Sequence, residues 1–102
     1  MKIDIVQEKD RSRFILSGKI DETGAEDMKS RFLGHALGDT REVVFDFSGV
    51  SYIGSAGIGK LLLFYKEVAV NGGTMSVIGV SPGIFDLFRV LKLDTIFSVS
   101  RA

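Results

Sequence analysis

The chain has 102 residues, with 13 lysines and arginines against 13 aspartates and glutamates, and no cysteine. This length suits one domain, burying somewhat over ~60% of the surface its unfolded chain exposes. Balanced charge without a basic run argues against a nucleic-acid or anionic-membrane footprint. The missing thiols exclude disulfides, thiolate catalysis and cysteine-based zinc sites.

Hydrophobic residues make up 45% of the chain, and Phe supplies eight of its ten aromatics, enough bulk for one core. Charges interrupt every apolar run of the opening MKIDIVQEKD, unlike a signal peptide. The longest apolar run, Leu61 to Tyr65, is far too short to cross a bilayer. The expectation is a soluble, cytoplasmic protein with one domain over residues 1–102, without membrane insertion.

Residues 3–6 and 13–17 are short β-rich runs around the charged turn EKDRS, which predicts a hairpin. Ile3 and Ile5 share one face, as do Phe14 and Leu16. Thr23 and Glu26 have capping-box spacing for a first helix, Met28, Phe32 and Ala36 continue it, and Gly38 is a plausible stop. VVFDF, 43–47, reads as a strand near the sheet's centre.

Residues 55–70 predict the second helix, with Ser55 as its cap and Ile58, Leu61, Leu62, Tyr65, Val68 and Ala69 forming the apolar stripe at about 100° per residue. That count turns Ala56, Gly59, Lys60, Leu63 and Glu67 outward. TMSVIGV, 74–80, is a further strand. Ser81-Pro82 opens a third helix, whose apolar face is Ile84, Leu87, Phe88 and Leu91. Thr95–Val99 closes the sheet. The order β-β-α-β-α-β-α-β predicts an α/β fold: a mixed sheet of four to five strands with flanking helices.

GSAGIGKL, 54–61, matches a phosphate-binding loop through Gly54, Gly59 and Lys60, but Leu61 stands where a magnesium-binding hydroxyl belongs. Leu61 also belongs to the helical stripe, so nucleotide binding through Gly54–Lys60 is a remote alternative. A hydrolase elbow fails because Ile53 replaces its first glycine. The one histidine, His35, precedes Ser55 and reads as a partly exposed helix residue. No His, Asp and Glu cluster has metal-ligand spacing. No catalytic residue, metal or cofactor is expected.

The stretches LSGKIDETGA, VVFDFSGVSYIGSAGIGKLLLFYK and GGTMSVIGVSPGIFDLFRVLKLDTIF together resemble a STAS domain of the bacterial anti-sigma factor antagonist type. The resemblance runs from about residue 3 to residue 99, with three motifs in order. It implies that Ser55 matches the serine phosphorylated by a partner that is both anti-sigma factor and serine kinase. It also implies that Gly57 matches the motif's glycine, and Asp21 an aspartate near the partner-contacting surface. Gly54 replaces the family's aspartate and Ala56 its second hydroxyl residue.

The expected partner-binding set is Asp21, Gly54, Ser55, Ala56 and Gly57 from the resemblance, with Gly59, Lys60 and Leu63 from the outward face of the second helix. The implied partners are an anti-sigma factor kinase and, further off, a phosphatase. The alternative is a constitutive, unphosphorylated adaptor in another regulatory or lipid-transport complex.

Overall fold

The structure is a computed structural model describing residues 1–102. Strands β1 (Lys2–Glu8) and β2 (Arg11–Ile20) form the expected hairpin, pairing antiparallel with Ile3 opposite Leu16 and Ile5 opposite Phe14. Helix α1 (Glu22–Gly34), strand β3 (Glu42–Ile53), helix α2 (Ser55–Val70), strand β4 (Thr74–Val80) and helix α3 (Pro82–Val90) follow. A 3₁₀ turn at Leu93–Thr95 then leads into strand β5 (Ser98–Arg101). The five strands lie in the order β1-β2-β3-β4-β5, and β2 to β5 run parallel.

Sequential parallel strands force a consequence. Each crossover moves one strand over in the same direction, and right-handed crossovers then place every helix on one face of the sheet. The packing agrees: Phe45 on β3 meets Phe64 of α2, and Phe47, two residues on, meets Phe88 of α3. Polar and charged residues such as Asp4, Arg13 and Asp46 alternate onto the other face, as period-two strands require. Under the helices, Phe14, Phe32, Phe45 and Phe64 stack, with centroids 5.1 Å apart for Phe14–Phe45 and 4.3 Å for Phe32–Phe64. All four rings are buried, so one aromatic block joins β2, α1, β3 and α2.

Several boundaries differ from the sequence expectation. The first helix is capped by Asp21, whose carboxylate accepts from the Gly24 amide at 2.8 Å. Thr23 lies inside the first turn, and Glu26 pairs with Lys60 across to α2 at 3.2 Å, so no capping box forms. That helix ends at Gly34 rather than Gly38, which takes a left-handed φ of +52° in the following turn. His35 ends the helix, and its Nε2 lies 2.8 Å from Gln7 Oε1.

Strand β3 runs well beyond VVFDF, because pairing with β2 continues to Ile20↔Ile53 through two register shifts. The last strand begins at Ser98 rather than Thr95, since residues 93–95 coil into the 3₁₀ turn that buries Leu93. Leu91, expected on the buried face of α3, is exposed at that helix's end. Helix α2 spans the expected residues 55–70, and α3 opens where the sequence puts it: Ser81 Oγ accepts from the Ile84 amide at 3.3 Å, with Pro82 at the first helical position. No helix is long and apolar enough to cross a membrane.

The aromatic block makes a stability prediction. Phe64→Ala removes the ring shared by Phe32 and Phe45 and should cost about 3–5 kcal/mol. Urea unfolding of the variant should show a much lower midpoint than the wild type at similar slope.

Candidate partner-docking site at the start of the central helix

The site is made by two neighbouring strand ends. Ile20 and Ile53 are paired at the last register position of β2 and β3, and the Gly54 amide donates to the Ile20 carbonyl at 3.0 Å. The residues that follow, Asp21 and Gly54, are therefore forced side by side. Each leads directly into a helix.

Asp21, Glu22, Tyr52, Gly54, Ser55 and Ala56 line a shallow depression of about 180 Å³. The structure thus gathers four of the expected site residues: Asp21, Gly54, Ser55 and Ala56. It adds Glu22 and Tyr52, which sequence reasoning missed. Tyr52 is 51% exposed, and a Cβ built on Gly54 would lie 3.0 Å from its Oη. The phenol thus covers ground that any side chain at position 54 would claim. A large exposed aromatic two residues before a glycine was the available signal.

Ser55 is not the cap of α2. Gly54 holds that position with extended backbone (φ −100°, ψ −179°), and no side chain accepts from the helix's first amides. Ser55 is the first helical residue, exposed, with no hydrogen bond from its hydroxyl to another part of the chain. The other two α-helices are capped by Asp21 and Ser81, so α2 is the one that begins bare.

The remaining expected residues separate. Gly57 is buried, and a Cβ there would meet Ile20 Cγ2 at 2.5 Å and Ile53 Cγ1 at 2.8 Å. Its role is close packing of α2 on the strand ends. Gly59 is exposed with nothing within 4 Å of an added Cβ. Lys60 turns toward α1 and pairs with Glu26.

Leu63 is half-buried against the core, and Leu62 is the exposed leucine. The buried stripe is Gly57, Leu61, Phe64 and Val68, which rotates the helix relative to the expected stripe and exposes Ala69. The sequence count centred the stripe on Ile58 and so missed Phe64. Ser55 and Leu62, seven residues apart, consequently stand on one outward line, with Gly59 and Lys66 beside them.

The phosphate-loop match dissolves in this geometry. Gly57, Gly59 and Lys60 lie inside α2, so residues 54–61 form a helix start and not a loop that could wrap an anion. No three His, Cys, Asp or Glu side chains gather as metal ligands.

The STAS domain family model matches residues 2–102, and the chain belongs to that family. Among curated relatives it is similar to BtrV, a candidate anti-sigma factor antagonist of Bordetella bronchiseptica. The two are 25% identical over 87 residues, covering 85% of this chain and 75% of that protein.

Among solved structures it resembles an anti-sigma factor antagonist from Mycobacterium paratuberculosis. That match has TM-score 0.86 and 21% identity, over 99% of this chain and 86% of the other. It also resembles Bacillus SpoIIAA in the phosphorylated form, with TM-score 0.75 and 17% identity over 96% and 90% of the two chains. At these identities the solved structures establish the fold.

The two glycines of the helix start should respond oppositely to alanine. Gly57→Ala must displace Ile20 or Ile53 and should destabilise by about 1–3 kcal/mol. Gly59→Ala meets open space and should stabilise by up to ~1 kcal/mol through helix propensity. Thermal unfolding of the two variants against wild type reads both signs.

Proposed function

We propose that the chain is an anti-sigma factor antagonist: a cytoplasmic binding module, not a catalyst, that docks on an anti-sigma factor kinase and releases its sigma factor. The observation that carries this reading is Ser55, exposed at the uncapped start of α2 within the depression lined by Asp21 and Tyr52. The docking surface would comprise Asp21, Gly54, Ser55 and Ala56 at the mouth of α2, with Gly59 and Leu62 along its outer line. Gly57, Lys60 and Leu63 would support it from beneath. Support also comes from the name of BtrV and from the existence of SpoIIAA in a phosphorylated form.

The switch would be electrostatic. The partner transfers the γ-phosphoryl group of ATP to Ser55 Oγ, releasing ADP and the hydroxyl proton. This adds about −1.5 to −2 charge at pH 7. The free amides and dipole of α2 accommodate that charge, so the fold survives. A dry interface facing it does not, because the phosphate brings a hydration shell and stands near Asp21 and Glu22.

A second reading is the constitutive adaptor. Gly54 offers no carboxylate beside Ser55, and Tyr52 occupies the nearby space, which favours a site that docks without being modified. Mass spectrometry of the protein from its native cells separates the two. Phosphate on Ser55 supports the switch, and an unmodified Ser55 under all growth conditions supports the adaptor.

Incubation with the candidate kinase and labelled ATP should label wild type and leave Ser55→Ala unlabelled. Ser55→Asp should bind that kinase more than about tenfold more weakly, a loss of about 1.4 kcal/mol, while melting near the wild-type temperature. Equal labelling of Ser55→Ala would overturn the assignment of the site.

Asp21 gives a separate check. Asp21→Ala should cost about 1 kcal/mol of stability through the lost cap, and Asp21→Asn should cost little because asparagine also caps. If the Asp21 charge contacts the partner, both variants weaken binding measured by calorimetry. If the residue only caps α1, Asp21→Asn binds like wild type.

A further inference from the structure

The last strand brings a second charged feature to the same edge of the sheet. Arg101 pairs with Val80, and the Ala102 amide donates to the Val80 carbonyl at 3.1 Å, which ties β5 beside the start of α3. The Arg101 guanidinium carbon lies 5.3 Å from the centroid of the Phe85 ring, and that of Arg89, one turn further along α3, lies 6.0 Å from it. Two cations from different elements thus converge on one half-buried ring.

Neither arginine is neutralised. The chain's ion pairs are Lys2–Asp4, Arg11–Glu42 and Lys60–Glu26, all elsewhere. Asp86 shares a shallow depression with Arg89 and Val90 but comes within ion-pair distance of neither guanidinium. Cation–π attraction favours both positions beside Phe85 without removing their charge. Both guanidinium groups keep hydrogen-bond donors free for an anion from outside.

We infer that Arg89, Phe85 and Arg101 form a docking surface for an acidic segment of a protein partner. Each guanidinium presents a planar fork that matches a carboxylate bidentately, and the ring beneath offers an apolar floor for the methylenes of glutamate. Nucleic acid fits poorly: the chain carries no net charge, and two phosphate contacts release too few counterions for useful affinity.

Arg101 is paired with Val80 and so stands level with about Ser48 of β3, while Ser55 lies two strands across and about seven residues further along, on the order of 20 Å away. The two places are therefore separate surfaces. Binding at the arginines does not require phosphorylation of Ser55.

The test is an NMR titration of the labelled full chain with a synthetic hexaglutamate peptide, with hexalysine and inorganic phosphate in parallel. Saturable shifts are expected at the Arg89 and Arg101 Nε–Hε signals and the Phe85 ring with hexaglutamate, and none with hexalysine. The Arg89→Ala/Arg101→Ala double variant should bind hexaglutamate about tenfold more weakly, Arg101→Lys should recover part of the loss, and added salt should weaken binding. Both side chains are exposed, so the variants should melt like wild type.

Absence of saturable shifts at these three residues overturns the proposal, as does equal affinity in the double variant. Phosphate reproducing the same shifts at equal concentration overturns the assignment to an acidic peptide. Ser55→Asp should leave hexaglutamate binding in place, so failure of the Ser55 switch and failure of this surface are read separately.

Discussion

The organisation of the site depends on how closely α2 approaches the ends of two strands. Ile20 and Ile53 pair side by side, and the first turn of α2 sits directly on both. It can do so because residue 57 has no side chain; an added Cβ would penetrate Ile20 and Ile53 at 2.5 and 2.8 Å. With that approach fixed, the starts of α1 and α2 must be neighbours, and Asp21 is placed against Gly54 and Ser55. The aromatic block then holds the far side of the arrangement, since Phe64 packs on Phe32 of α1 and on Phe45 of β3. The candidate docking end of the molecule is thus built by packing that has no binding chemistry of its own.

Much of this fold was legible from local pattern, and the misses have definable physical causes. The hairpin, α2, β4 and the capped start of α3 followed from alternation, helical spacing and Ser-Pro chemistry, all of which are local. The end of β3 was hidden because SGVSY lacks alternation; there, strand pairing with β2 overrides the sequence's weak β preference. Asp21 and Thr23 both have capping side chains, and the choice between them is made by where β2 ends, which is a tertiary fact. The orientation of α2 was misjudged by about one residue, enough to exchange the roles of Leu62 and Leu63. A helix with apolar groups on most sides carries little information about which side the sheet will take. Among the site residues, those brought together by adjacent strand ends were anticipated through family resemblance, whereas Tyr52 and Glu22 emerged only from three-dimensional proximity.

The carboxyl-terminal edge of the parallel strands carries separated charge in a chain that is neutral overall. Asp21 and Glu22 follow the end of β2, and Arg101 ends β5 three strands away beside Phe85, while Arg89 lies in the last turn of α3, which runs back from that edge. A neutral protein gains little from long-range attraction, but such an edge can still orient a partner bearing the complementary sequence of charges. The direction in which a partner lies along the edge would then be set before any apolar contact forms. Close contact at Ser55 and Leu62 would follow that alignment.

The three helix starts differ in a way that bears on the proposed modification of residue 55. Asp21 and Ser81 each supply an oxygen to their helix's first amides, a contribution of about 1 kcal/mol apiece. Helix α2 forgoes that contribution, because Gly54 has no side chain and Ser55 is already one position inside the helix. Its stability must come instead from burying Leu61, Phe64 and Val68, which together outweigh any single cap several-fold. A phosphate on Ser55 would then supply oxygens and negative charge where acceptors are lacking, with a favourable dipole interaction of about 0.3–1 kcal/mol. The same oxygens, pressed against a dry partner surface, would forfeit their hydration at a cost of several kcal/mol. The sign of the effect therefore differs between folding and docking, and the bare helix start is what keeps the two apart.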